Sequence, residues 1–118
     1  EELSLAESMA ISFSRTTGLP TFSYKGPNAV KIGETPGVWG RHLLANRLYQ
    51  CPVVFLEPYR ANSKGAYARI IAGSYEGLRE IGGVRRPSLV DEYAQAVAEG
   101  VKRNFLGTDS KVTLPKNR

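Results

Sequence analysis

Apolar residues at helical spacing open the chain. Leu5, Ala6, Met9, Ala10 and Phe13 recur at intervals of three and four, as on one buried face of a helix. Ser4 and Glu7 have the form of a capping box just ahead of that face, and Gly18 and Pro20 stop it. The spacing predicts a helix over about 5–16. Residues 18–37 hold four glycines and three prolines and predict a loop, with at most a short extended piece near Ala29 to Ile32. Helical spacing returns in Val38 to Gln50 through Leu43, Leu44 and Leu48.

The pattern then changes. Val53 to Leu56 is continuously apolar rather than alternating, and Pro52 precedes it. It is too short for a helix, and its valines and phenylalanine favour extended backbone. A strand apolar on both faces belongs in a parallel sheet covered by helices. Asn62 or Ser63 can cap a following short helix that carries Tyr67, Ile70 and Ile71 and ends near Gly73. The glycine-rich, basic stretch 73–87 reads as a surface loop. The last helix is predicted from Ser88, its cap, to Gly107, its stop, with Val90, Tyr93, Ala94, Val97, Val101 and Phe105 as its apolar stripe. Helices around a wholly apolar strand predict an α/β fold: part of an open, mostly parallel sheet flanked by helices. One strong strand is too few for a sheet, so the expected sheet is incomplete in this chain. One domain is expected over 1–107, with 108–118 as a polar tail. No internal repeat is visible.

Composition changes this picture little. The chain has 118 residues, enough for one core, and no apolar run near the ~20 residues that span a membrane. The first residues, EELSLAES, are acidic and do not read as a signal peptide. The single cysteine excludes an internal disulfide and a cysteine-rich zinc site. Cys51 and His42 are the only thiol–imidazole pair available, which leaves a cysteine hydrolase as one reading. The net charge of +5 comes mainly from the second half of the chain. That excess suits an anionic partner such as a cell-wall polymer or nucleic acid, or is simply a solvated basic face. Tyr59, Tyr67 and Tyr75 interleave with Arg60, Lys64, Arg69 and Arg79, as in single-strand binders. No recognised nucleic-acid motif accompanies them, so nucleic acid is the disfavoured partner.

Glu57 stands where the apolar run stops. In open α/β sheets ligand sites lie beyond the carboxyl ends of strands, a place suited to a general acid or base. The same position suits a structural carboxylate that caps the next turn or pairs with Arg60.

The segment GVWGRHLLANRLYQCPVVFLEPYRAN, followed by VDEYAQAVAEGVKRNF, resembles the C-terminal half of zinc-dependent N-acetylmuramoyl-L-alanine amidases. Arg41 and Leu43, then Pro52 to Glu57, then Asn62 follow the family's order. Tyr93, Ala94, Ala96, Val97, Gly100, Val101 and Phe105 follow its final helix, and LAESMAISFSRTTGL is similar to the helix after its third metal ligand. The resemblance covers about Leu5 to Phe105, with an insertion at about 63–86. It implies a peptidoglycan hydrolase of the cell envelope, periplasmic or secreted, that cleaves the amide between N-acetylmuramic acid and L-alanine. Glu57 takes the place of the family's general base, and Arg41 and Asn62 become candidate substrate contacts. The family's two histidines and glutamate that bind zinc have no counterpart here, and PYRA replaces the usual residues after the base. The resemblance therefore implies that the zinc ligands lie outside this chain, which is a C-terminal piece whose partner is the N-terminal half of the enzyme, or a degenerate relative. The alternative function is a non-catalytic basic module that binds an anionic polymer.

Overall fold

The structure is a computed structural model and describes residues 1–107; the expected polar tail, 108–118, lies outside them. Its elements in chain order are α1 (Glu2–Thr17), β1 (Val30–Lys31), β2 (Trp39–Gly40), α2 (Ala45–Leu48), α3 (Lys64–Ala72), β3 (Arg79–Ile81), β4 (Val84–Arg86) and α4 (Leu89–Leu106).

The two long helices form the centre, packed antiparallel. The Ser4 hydroxyl donates to Asn104 Oδ1 and the Ser12 hydroxyl to the Ala96 carbonyl, each at 2.6 Å. The Phe13 and Tyr93 rings meet edge to face at 5.3 Å. Small residues let the backbones approach closely. A Cβ placed on Gly100 would lie 2.5 Å from Met9 Sδ and 3.2 Å from Met9 Cα, so only glycine fits there without displacement. Ser88 caps α4 as its sequence predicts, accepting from the Asp91 amide at 3.2 Å. Ser63 caps α3 in the same way. Gly18 and Gly107 end α1 and α4.

The expected open, mostly parallel sheet does not occur among the described residues. The only sheets among the described residues are two antiparallel pairs, β1–β2 and β3–β4. Val53 to Leu56 is not a strand: residues 52–60 have no regular structure. Among the described residues no strand pairs with it, and the run is not covered on both faces. Val53, Val54 and Leu56 are half-buried and Phe55 is exposed. The short extended piece near Ala29 does form, as β1 paired with Trp39–Gly40. That pairing takes the start of the second predicted helix, which shrinks to Ala45–Leu48. The predicted loop 73–87 contains the β3–β4 hairpin. Gly82 and Gly83 connect it with φ of 61° and 80°, the left-handed pair that a two-residue hairpin turn requires.

Three further expectations fail for packing reasons. Ser4 and Glu7 form no capping box: α1 starts at Glu2 without a side-chain cap. Ser4 bonds across to α4 instead, and Glu7 accepts from the Thr35 hydroxyl. In α3 the buried residues are Ala66 and Arg69, while Tyr67, Ile70 and Ile71 are exposed. In α4 the buried face is Leu89, Glu92, Ala96 and Gly100, one step around from the predicted stripe. Of that stripe Tyr93 packs on Phe13 of α1 and Val97 is half-buried.

The last shift has a polar cause. Glu92 is 1% exposed, and a buried carboxylate is tolerated only with full partnering. Arg69 grips it bidentately, Nη1 to Oε1 and Nη2 to Oε2, both at 3.1 Å. Arg86 Nη1 reaches Oε2 at 3.1 Å and also donates to the Thr16 carbonyl at the end of α1. The Tyr59 hydroxyl donates to Oε1 at 3.0 Å. Arg69 also donates to the Pro87 carbonyl, and Tyr75 to that of Arg86. One carboxylate thus joins α1, α3, β4, α4 and the irregular segment before α3.

Glu92→Gln, which leaves two guanidiniums facing a neutral amide, is expected to lower unfolding free energy by about 3–5 kcal/mol in urea titrations. Gly100→Ala is expected to cost about 1–3 kcal/mol by overpacking against Met9.

Candidate functional site

Glu57 lies in the irregular segment between α2 and α3. Its side chain is 56% exposed. The Tyr24 hydroxyl donates to its Oε2 at 3.1 Å. Arg41 Nη1 stands 3.9 Å from the same oxygen and 3.4 Å from the Tyr24 hydroxyl. Nothing else among the described residues bonds to the carboxylate, so its other oxygen has no partner among them.

Aromatic packing positions this group. The Tyr24 ring meets Phe22 edge to face at 5.0 Å and Trp39 at 5.5 Å. Arg41 lies 5.2 Å from the Tyr24 ring centre, and Arg60 sits 4.1 Å over Phe22. The loop before β1, strand β2 and the segment after Glu57 are thereby drawn together. Cation–π contacts of this kind at partly exposed sites contribute roughly 0.5–1 kcal/mol each. Two residues along, Tyr59 is tied to Glu92, so the segment is fixed on both sides of Pro58.

Of the site residues expected from sequence, the structure brings Glu57 and Arg41 together. Asn62 is exposed and makes no described contact with them. The proposed Glu57–Arg60 pair does not form: Arg60 stacks on Phe22 and Arg41 stands beside the carboxylate. Cys51 and His42 are both exposed. No group of three or more His, Cys, Asp and Glu side chains able to hold a metal ion occurs among the described residues. The described residues therefore do not fit a zinc ion. Of the interleaved tyrosines and basic residues, Tyr59, Arg69 and Tyr75 turn inward, bonded into the Glu92 cluster or beside it, while Arg60, Lys64, Tyr67 and Arg79 are exposed.

Sequence reasoning missed Tyr24 and Glu92. Tyr24 falls in a stretch dominated by glycine and proline, where only Phe22 and Tyr24 at spacing two hint at an ordered aromatic edge. Glu92 sits in helical register with Leu89 and Ala96, a carboxylate on what becomes the buried face.

Comparison with protein-family models, curated proteins and solved structures finds no match for this chain. No helix among the described residues is long and apolar enough to cross a membrane.

Burial, and then the Glu92 carboxylate, push the Tyr59 hydroxyl above its ordinary value. The folded state thus holds this proton to higher pH than the unfolded state does. The stability Tyr59 contributes is complete below about pH 10 and declines as pH rises beyond it. Thermal melts across this range should show a shallower alkaline decline for Tyr59→Phe than for the unsubstituted protein.

Proposed function

We propose that this chain supplies the general base of a peptidoglycan hydrolase, an N-acetylmuramoyl-L-alanine amidase. The observation that carries the reading is Glu57: an exposed carboxylate bonded by Tyr24 and flanked by Arg41, with one oxygen that no described residue bonds. The order of residues from Arg41 to Asn62 and along α4 supports it. In this reading zinc is the enzyme's metal and is held by residues outside this chain, in an N-terminal half of the same enzyme. Its site is peptidoglycan in the cell envelope, periplasmic or secreted.

Hydrolysis of the muramoyl–alanine amide needs a group that takes a proton from the attacking water and gives it to the departing nitrogen. Glu57 can do both through its unbonded oxygen. Water oxygen forms the new bond to the lactyl carbonyl carbon, the carbon–nitrogen bond breaks, and the proton leaves on the amine of L-alanine. The Tyr24 hydroxyl fixes Oε2 and so the orientation of the carboxylate. Arg41 places a positive charge beside it, where acidic groups of the substrate are met, and Asn62 offers an amide on an exposed turn nearby in sequence.

A second reading rests on a different observation. Arg60 stacked on Phe22, with Trp39 beyond Tyr24, makes an aromatic and basic surface for an anionic polymer. This is the non-catalytic binding module.

The test is the native protein, its mass and its zinc content by elemental analysis, followed by hydrolysis of a muramoyl-L-alanyl glycopeptide. The amidase reading expects a zinc-bearing species that contains a further chain or segment. It expects Glu57→Gln to slow hydrolysis by roughly 10²–10⁴-fold and Cys51→Ala to leave it unchanged. A native protein without zinc and without hydrolysis sinks this reading. Polymer binding that falls steeply with salt would then favour the module.

A further inference from the structure

Two arginines belong to the candidate site, and only one has an acidic partner among the described residues. Arg41 has the Glu57 carboxylate at 3.9 Å and the Tyr24 hydroxyl at 3.4 Å. Arg60 is exposed and lies with its guanidinium 4.1 Å over the Phe22 ring. No carboxylate among the described residues pairs with it. A ring covers one face of a guanidinium and leaves its in-plane N–H groups pointing outward. Those groups form a fork that meets a carboxylate edge to edge. The fork is held in place. The Ser63 amide donates to the Arg60 carbonyl at 3.2 Å, and the preceding residue, Tyr59, is bonded to Glu92. Phe22 in turn meets Tyr24, which bonds Glu57. Two ring contacts thus separate this guanidinium from the group assigned to hydrolysis.

We infer that Arg60 is a specificity-determining residue that binds a carboxylate carried by the substrate's peptide beyond the scissile amide, so that acidic peptides are preferred to amidated ones. The inference rests on the amidase reading of Glu57 and names the substrate class of the same site. In that reading the lactyl carboxyl of the sugar is spent in the amide, so the sugar side is neutral and free carboxylates lie on the peptide side. Glu57 and Arg41 balance one another in charge, and Arg60 leaves the group with a positive excess that one carboxylate completes. An amidated peptide offers the fork a neutral carbonyl oxygen in place of two charge-assisted bonds. Because ring and backbone already hold the guanidinium, little side-chain freedom is lost when the carboxylate binds. Arg60 stands in the PYRA stretch, so its role does not come from the order of residues shared with the amidases.

The test compares two compounds on the native protein: N-acetylmuramoyl-L-alanyl-glutamate, and the same compound with both glutamate carboxyls amidated. The acid is expected to have a kcat/KM roughly fivefold or more above that of the amide, with the difference in KM. Arg60→Gln is expected to bring the two to within about twofold, by raising KM for the acid alone. Should Arg60→Gln fail to fold, Arg60→Lys decides: it keeps the charge, loses the fork and is expected to show a smaller preference. If neither compound is hydrolysed, dissociation constants from calorimetry take the place of kcat/KM. Acid-selective binding that Arg60→Gln abolishes, without hydrolysis, removes the amidase reading and keeps Arg60 as the carboxylate contact. Hydrolysis that is indifferent to amidation overturns the inference and leaves the amidase reading standing. A preference that survives undiminished in Arg60→Gln, or in Arg60→Lys where that variant decides, overturns it as well, as does binding of neither compound.

Discussion

Glu92 is a carboxylate almost without solvent, and the arrangement of the other segments follows from keeping it partnered. Its partners come from three places in the chain: Arg69 in α3, Arg86 in β4 and Tyr59 in the segment before α3. Losing any one would leave charge or hydrogen-bonding capacity unmet in a low-dielectric interior. Arg86 adds the Thr16 carbonyl at the end of α1, so the cluster also fixes how the helix pair ends. The buried apolar set is small, Met9, Phe13, Val38, Ala66, Leu89 and Ala96. With so little apolar shape to distinguish one packing from another, the directional bonds to Glu92 set the register of α3 and the hairpin against α4.

The same cluster shapes the environment of Glu57. Tyr59 anchors one side of Pro58 to Glu92, and Tyr24 and Arg41 hold the carboxylate on the other. Glu57 therefore owes its position to an aromatic edge and an anchored loop, not to the end of a strand. Its side chain, 56% exposed, stays open to solvent.

The buried face of α4 narrows to glycine where α1 comes closest, at Gly100 against Met9. Glycine, alanine and the carboxylate turn toward α1, where close backbones and guanidiniums are waiting. Val90, Val101 and Phe105, which periodicity alone assigns to the core, turn to solvent. Burying the valine stripe on α1 would have moved Glu92 away from Arg69 and Arg86 and left no glycine opposite Met9. The polar cluster and the steric fit at Gly100 outweigh the apolar area that the other face offers.

The sequence by itself determined what depends on neighbours along the chain. Ser63 and Ser88 cap their helices and Gly18 and Gly107 end theirs, because each rests on bonds within a few residues, and the extended piece at Val30–Lys31 finds its partner at Trp39–Gly40, still near in the chain. Tertiary structure decided what depends on distant partners. Val53 to Leu56 has the composition of a strand, yet a strand exists only with a second one to complete its ladder, and none among the described residues pairs with it. The buried face of α4, the Tyr24–Glu57 bond across 33 residues and the Arg69–Glu92 grip across 23 rest on which segments meet in space. Local periodicity shows that a residue is apolar and helical; the shape and charge of what packs against it decide whether it is inside.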